Sequence, residues 1–270
     1  MASTSRAASR AALQAYVLHS HDWSESSLIL DLFTRERGRI VAAAKGAKRP
    51  YSQLRPVLMP FQRLTVSFGT RQPDETEVWL LKQAEWAGGP AWPGGAAMLP
   101  AFYLNELLMR FLVRLEPQPV LFDVYAQTLP VLTEPPAVPA ALRAFELVLL
   151  RALGHLPSLA SESATGERVR PDGLYGLWPD LGLQPWAPHP DPMQSPQSLP
   201  GRALLGLEQG LSAVMADASR LRDADTLHGL MHACVPVLSE LKVCMRALIH
   251  YHLGSQPLRT RQWMIELQQA

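Results

Sequence analysis

The spacing of apolar residues changes once along the chain, at AGGPAWPGG, residues 87–95. Before this segment hydrophobic side chains recur at every second position, the period of a strand. After it they recur every three or four positions, the period of a helix. In SSLILDLFT (26–34), Leu28, Leu30 and Leu32 fall on one face. QAYVLHS (14–20), RIVAAA (39–44), Gln62 to Phe68 and Thr76 to Glu85 also read as strands, and Gly38 marks a turn between two of them. Five short strands with no helix-length segment among them predict a small antiparallel barrel.

Beyond the Gly/Pro segment, residues 98–116, 120–132, 140–156, 202–215 and 223–253 carry helical spacing, and PLRTRQWMIELQQ closes the chain. Prolines bound the first three of these segments, since proline favours helix starts and blocks helix interiors. Pro236 is expected to start, end or kink a helix. Residues 157–200, notably WAPHPDPMQSPQSLP, are rich in proline and poor in periodicity, so they read as a long irregular connection. The expected class is therefore multi-domain α+β. A disordered tail occupies 1–12, a barrel 13–86, a linker 87–95 and an all-α domain 96–270.

Composition excludes several classes. Apolar residues make up 47% of the 270 positions and charged residues 18%, enough for a real core. Two cysteines, Cys234 and Cys244, make no disulfide framework and fit a reducing compartment. No apolar run reaches the length of a membrane span. The opening MASTSRAASRAAL has the Ser and Arg content of a transit peptide, but no cleavage signal or long apolar stretch follows, so it reads as a disordered tail.

Charge is unevenly placed. Between Arg35 and Arg71 nine bases stand against the single acid Glu36, while the whole chain carries only +1. One-signed segregation of this kind attracts polyanions. KGAKRPYS (45–52) within it reads as a loop, because Gly46 permits unusual backbone and Pro50 disfavours helix at Arg49. Small barrels use such loops to bind single strands, with bases on the protein tracking phosphates and flat rings stacking on nucleobases. Arg35, Arg37, Arg39, Lys45, Lys48 and Arg49 are the candidate phosphate contacts, and Tyr51 is the candidate stacking ring. Phe61 and Phe68 read as barrel core; Trp79 is a further aromatic, and Arg63 and Arg71 suit solvated strand positions as well as the site.

Catalytic motifs are missing. There is no Walker-type phosphate loop and no Gly-x-Ser-x-Gly elbow. His228 and His232 lie one helical turn apart but lack the Glu of a zinc-protease helix, so they read as ordinary helix histidines. His250 and His252 point to different faces. Asp223 and Asp225 suit a helix cap, Glu106 and Glu146 suit internal ion pairs, and the two cysteines suit small buried positions.

Taken together, AYVLHSHDWSESSLILDLFTRERGRIVAAAKGAKR, YLNELLMRFL, LFDVYAQTLPVL, LRAFELVLLRALG, DADTLHGLMH and LGSQPLRTRQWM resemble, in order, the RecO family of bacterial recombination mediators. The resemblance implies an OB-fold joined to a helical domain, in the bacterial cytoplasm and at the nucleoid, with no enzymatic turnover and no cofactor. It implies binding and annealing of single- and double-stranded DNA. It also implies action with RecR to help RecA replace single-strand-binding protein (SSB), and docking of the SSB carboxyl-terminal tail on the helical domain. Arg143 matches a basic family position suited to that tail's carboxylate, and an ion pair with Glu146 is the competing role. Arg246, Arg259 and Arg261 are weaker candidates for DNA or tail contacts. Many family members carry a four-cysteine zinc motif after the LRAFE helix. Residues 157–200 contain no cysteine, so no structural zinc is expected, and proline with Tyr175, Trp178 and Trp186 is expected to hold the segment by packing. A non-catalytic protein adaptor and an RNA-binding OB-fold protein are the alternatives.

Overall fold

The structure is a computed structural model that describes residues 12–69, 78–89, 93–187, 197–216, 225–254 and 256–269. The expected tail at 1–12 (save residue 12), Arg71, Asp223 and the middle of the proline-rich segment, 188–196, lie outside the described residues.

Five strands close into a barrel: β1 (Leu13–Asp22), β2 (Leu28–Thr34), β3 (Gly38–Ala44), β4 (Arg63–Phe68) and β5 (Trp79–Trp86), in the order β1-β2-β3-β5-β4 with β4 returning to β1. All neighbours are antiparallel except β3 and β5. This is the OB-fold arrangement. Alternation decides what fills it. Ala15, Val17, Leu30, Leu32, Ile40, Ala42, Leu64 and Val66 belong to one buried cluster, and Leu28 packs against its edge.

The outer face of β1–β3 is apolar too, and it is covered. Helix α1 (Met98–Phe111) packs against β1, and the Tyr16 and Phe33 rings meet Phe122 at centroid distances of 5.2 and 5.3 Å. Leu18 bulges out of the β1–β2 register, and buried Asn105 of α1 donates Nδ2–H to its carbonyl at 2.9 Å. Phe61 is buried, but edge-on to Phe102 of α1 and not, as expected, within the barrel's core cluster. The first compact unit accordingly runs to Phe122, past the Gly/Pro segment.

The second unit, Asp123–Ala270, begins within α2 (Pro119–Val131). It contains α3 (Val138–Ala152), α4 (Gly201–Ala216), α5 (Asp225–Cys234), α6 (Leu238–Leu253) and α7 (Arg259–Gln269). Helix α3 is its centre, buried from Ala144 through Leu150 and packed against α4, α5 and α6. Pro236 falls in the 3-10 turn between α5 and α6, as its missing N–H requires.

One expectation is corrected. Residues 157–200 are not an irregular connection: they hold β6 (Leu174–Trp178), β7 (Gly182–Pro185) and β8 (Ser198–Pro200), in the order β7-β6-β8. The prolines that argued against strands, Pro185 and Pro200, sit on the two edge strands, where an absent N–H costs no ladder bond. Hydrogen bonds also hold the described part of the segment. Arg170 N–H donates to the Tyr175 hydroxyl at 2.8 Å, Leu183 N–H to Ser163 Oγ at 2.9 Å, and Leu159 N–H to the Glu208 carboxylate at 2.7 Å. Tyr175 is buried; Trp178 and Trp186 are half-buried.

Candidate nucleic-acid interface

Strand register divides the basic cluster between two ends of the barrel. Asp22 pairs with Leu28 and Leu28 with Ala44, so the β1–β2 turn and the loop after β3 leave from one end. Thr34 pairs with Gly38, so the β2–β3 turn, with Arg35 and Arg37, lies at the other. At about 3.4 Å per residue the seven residues of β3 separate the two ends by about 20 Å. A cluster continuous in sequence is two clusters in space.

Arg39 belongs to neither, which corrects its place among the phosphate contacts. It sits on the covered outer face, its side chain only 16% exposed. Its Nε and Nη2 donate to Asp31 Oδ1 at 3.1 and 2.9 Å, and Nη1 donates to the Met109 carbonyl at 2.7 Å. The guanidinium neutralises a buried carboxylate and takes up a carbonyl at the end of α1 that no intrahelical N–H reaches. Beside this pair His21 Nε2 stands 4.0 Å from Asp31, and the His19 imidazole is pushed down from its ordinary pKa by burial and by His21.

At the other cluster the loop after β3 has two faces. Ala47, Leu54, Val57 and Leu58 pack against the barrel core and close its end. Gly46, at φ +74°, opens a pair of tight turns in which Arg49 N–H donates to Gly46 O at 3.1 Å and Ser52 N–H to Arg49 O at 3.0 Å. These turns turn Lys45, Arg49 and Tyr51 outward; all three are exposed, Tyr51 at 98%. Together with Gly46, Pro50 and Ser52 they line an open depression of about 450 Å³. Neither Lys45 nor Arg49 makes a side-chain ion pair among the described residues. Lys48 behaves differently. Its ammonium meets Asp22 at 3.0 Å and the Ser24 carbonyl at 3.2 Å, and its N–H donates to Ser26 O at 3.0 Å. Lys48 thus fastens the loop to the β1–β2 turn.

That turn carries a residue the sequence reading passed over. Trp23 is 59% exposed, whereas Tyr16, Phe33, Phe61 and Trp79 of the same unit are buried. Its signal was faint: one large ring in a polar turn between two alternating strands.

In the second unit Arg143 does pair with Glu146, Nη2 to Oε1 at 2.5 Å, with the carboxylate side almost fully buried. Its Nε and Nη1 make no hydrogen bond to a described residue. His228 and His232 are both exposed on α5, and no group of three metal-ligating side chains occurs among the described residues. Cys234 and Cys244 are free and buried, and burial pushes both thiols up to about 12. No helix among the described residues is long and apolar enough to cross a membrane.

The family model for the N terminus of recombination protein O matches residues 9–89, and that for its C terminus matches residues 95–198. The chain belongs to the RecO family. The DNA repair protein RecO of Delftia acidovorans (strain DSM 14801 / SPH-1) is 47% identical over 257 residues, covering 94% of this chain and 95% of the relative. That of Polaromonas sp. (strain JS666 / ATCC BAA-500) is 46% identical over 258 residues, with the same coverage. The break between the two RecO segments falls inside the Gly/Pro stretch, while the compact division falls later, after Phe122. In this RecO-family chain the first helix of the C-terminal segment therefore packs with the barrel.

Proposed function

We propose that the chain is a non-catalytic DNA-repair mediator that binds and anneals DNA through the loop end of its OB barrel. The observation that carries this is the loop after β3: Lys45 and Arg49 exposed and without an ion-pair partner among the described residues, beside a fully exposed Tyr51, on a barrel whose other described rings are mostly buried. Bound cations screen phosphate charge, which lowers the repulsion between two complementary strands. Arg35 and Arg37 lie half-buried at the opposite end of the barrel. Family membership supports the wider role, in which the chain acts with RecR to load RecA onto SSB-coated single strands in the bacterial cytoplasm. The half-engaged Arg143 suits the terminal carboxylate of the SSB tail.

Anisotropy of a labelled single strand, titrated across salt concentrations, tests the core of this. Tight binding that falls steeply with salt is expected. A Lys45→Glu, Arg49→Glu chain should bind more weakly to every sequence, with a salt slope flatter by roughly 0.7 per lost contact. Absence of binding at low salt would sink the proposal and favour an adaptor for an acidic protein. An SSB tail peptide should bind wild type and lose affinity for an Arg143→Ala chain; equal affinity removes Arg143 from that role.

A further inference from the structure

We propose that Trp23 and Tyr51 form a two-ring stacking site that makes the loop end of the barrel selective for single-stranded over duplex DNA. The inference rests on the DNA-binding function proposed above and adds its strand specificity. Three observations carry it.

The two rings stand on segments that leave the barrel at the same end, as the Asp22–Leu28–Ala44 register requires. Those segments are also tied together. Trp23 lies between Asp22 and Ser24, the two residues whose side chain and carbonyl hold the Lys48 ammonium, and its own N–H donates to Ser27 O at 3.2 Å. Tyr51 follows Pro50 within the turn closed by Ser52 N–H and Arg49 O. Each ring therefore stands on a fixed backbone while remaining exposed, 59% for Trp23 and 98% for Tyr51. A ring held in this way loses little freedom when a planar ligand covers it.

The charge beside the rings has the sign of a phosphate ligand. Among the described residues Lys45 and Arg49 have no acidic partner, and Asp22 pairs with Lys48, which leaves Glu25 as the other exposed acid of the turn. Cations alone do not distinguish single strands from duplex, since both present phosphates. Rings do distinguish them. A duplex keeps its base faces inside the stack, and a single strand offers them. Trp23 and Tyr51 would take successive or nearby bases while Lys45 and Arg49 follow the backbone between them. Lys48 acts as a positioning residue, setting the spacing of the two rings.

The molecule supplies its own control. Trp86 is 62% exposed on the same unit, but Trp86 pairs with Leu64, Leu64 with Ala15, and Ala15 with Thr34, which places it at the opposite end.

The test uses the full chain with Trp23→Ala, Trp23→Phe, Tyr51→Ala and Trp86→Ala, against labelled oligothymidylate and a duplex of equal length. Trp23→Ala and Tyr51→Ala should each weaken single-strand binding by roughly five- to a hundred-fold. Duplex affinity and the salt slope should stay unchanged, because no phosphate contact is removed. Trp23→Phe should restore most of the loss, and Trp86→Ala should match wild type. Thermal melting of each variant should match wild type, since the altered rings are exposed. Wild-type single-strand affinity in Trp23→Ala overturns the inference and leaves the ring to a protein partner, with DNA binding itself intact. Equal losses on duplex and single strand, or an equal loss from Trp86→Ala, overturn it as well. A wild-type chain that binds no DNA ends both the function and this inference.

Discussion

Arg39 and Lys45 lie on one strand and the loop that follows it, yet their charges do different work. Arg39 is engaged by Asp31 through Nε and Nη2 and by the Met109 carbonyl of α1 through Nη1, on a covered face. Truncating it would strand a carboxylate that is 8% exposed. Arg39→Ala should therefore lower the unfolding free energy by about 3 kcal/mol in urea titrations, the scale for breaking a buried pair. Lys45→Ala should leave it unchanged, and any DNA-binding loss from Arg39→Ala should track the unfolded fraction. Glu208 gives the pH counterpart in the second unit. Hydrogen bonds from Arg151 at 2.8 and 2.9 Å hold its carboxyl below the ordinary 4.5, assisted by Leu159 N–H. A carboxyl whose pKa is lower folded than unfolded stabilises the fold above the unfolded value and loses that contribution as pH falls through the folded one. Stability should thus drop on acidification below about 4.5, and Glu208→Gln should be less stable at neutral pH and flatter across that range. A parallel acid profile in the variant would show that this carboxylate does not control it.

At the scale of elements, the β2–β3 turn is closely packed at Gly38. Gly38 has φ +69°, and a Cβ there would run into the Glu116 backbone. Gly38→Ala combines left-handed backbone with a clash that no side-chain rotation relieves. It should cost at least about 2 kcal/mol by chemical denaturation. Elements of this kind were legible to the extent that their signals are local. Leu28, Leu30 and Leu32 fall on one face because the strand period is two, and Pro236 ends α5 because it has no N–H. The strands at 174–200 were not legible. They are three to five residues long, too short to show a period, and their prolines point the wrong way until β6 is known to be central. The candidate site divides in the same manner. Lys45, Arg49 and Tyr51 could be read from a loop signature. The removal of Arg39, the pairing of Lys48 with Asp22 and the exposure of Trp23 depend on contacts between segments distant in sequence. The splitting of the basic cluster depends on register, which a count of charges does not contain.

For the molecule as a whole, the two textures of the sequence and the two compact units do not share a boundary. The apolar pattern changes at residues 87–95, but the barrel is complete only when α1 and Phe122 cover Tyr16, Leu18 and Phe33 on its outer face. The reason lies in β1 and β2, which are buried on both faces over much of their length, whereas an OB strand with one solvated face would alternate. Left uncovered, these side chains would make a contiguous apolar patch, and Asp31 with Arg39 would lose the carbonyls and helix that enclose them. A fragment of residues 1–89, cut where the texture changes, should therefore bind a hydrophobic dye, self-associate in sedimentation and melt without cooperativity. A fragment of residues 1–122 should be monomeric in the same experiment, melt cooperatively, and retain the salt-steep binding of single strands that the Lys45–Tyr51 loop confers. Cooperative melting of the shorter fragment would show that the inner core alone, built on Ala15, Leu30, Leu32 and Leu64, suffices to hold the barrel, and that α1 is an addition to it and not a part.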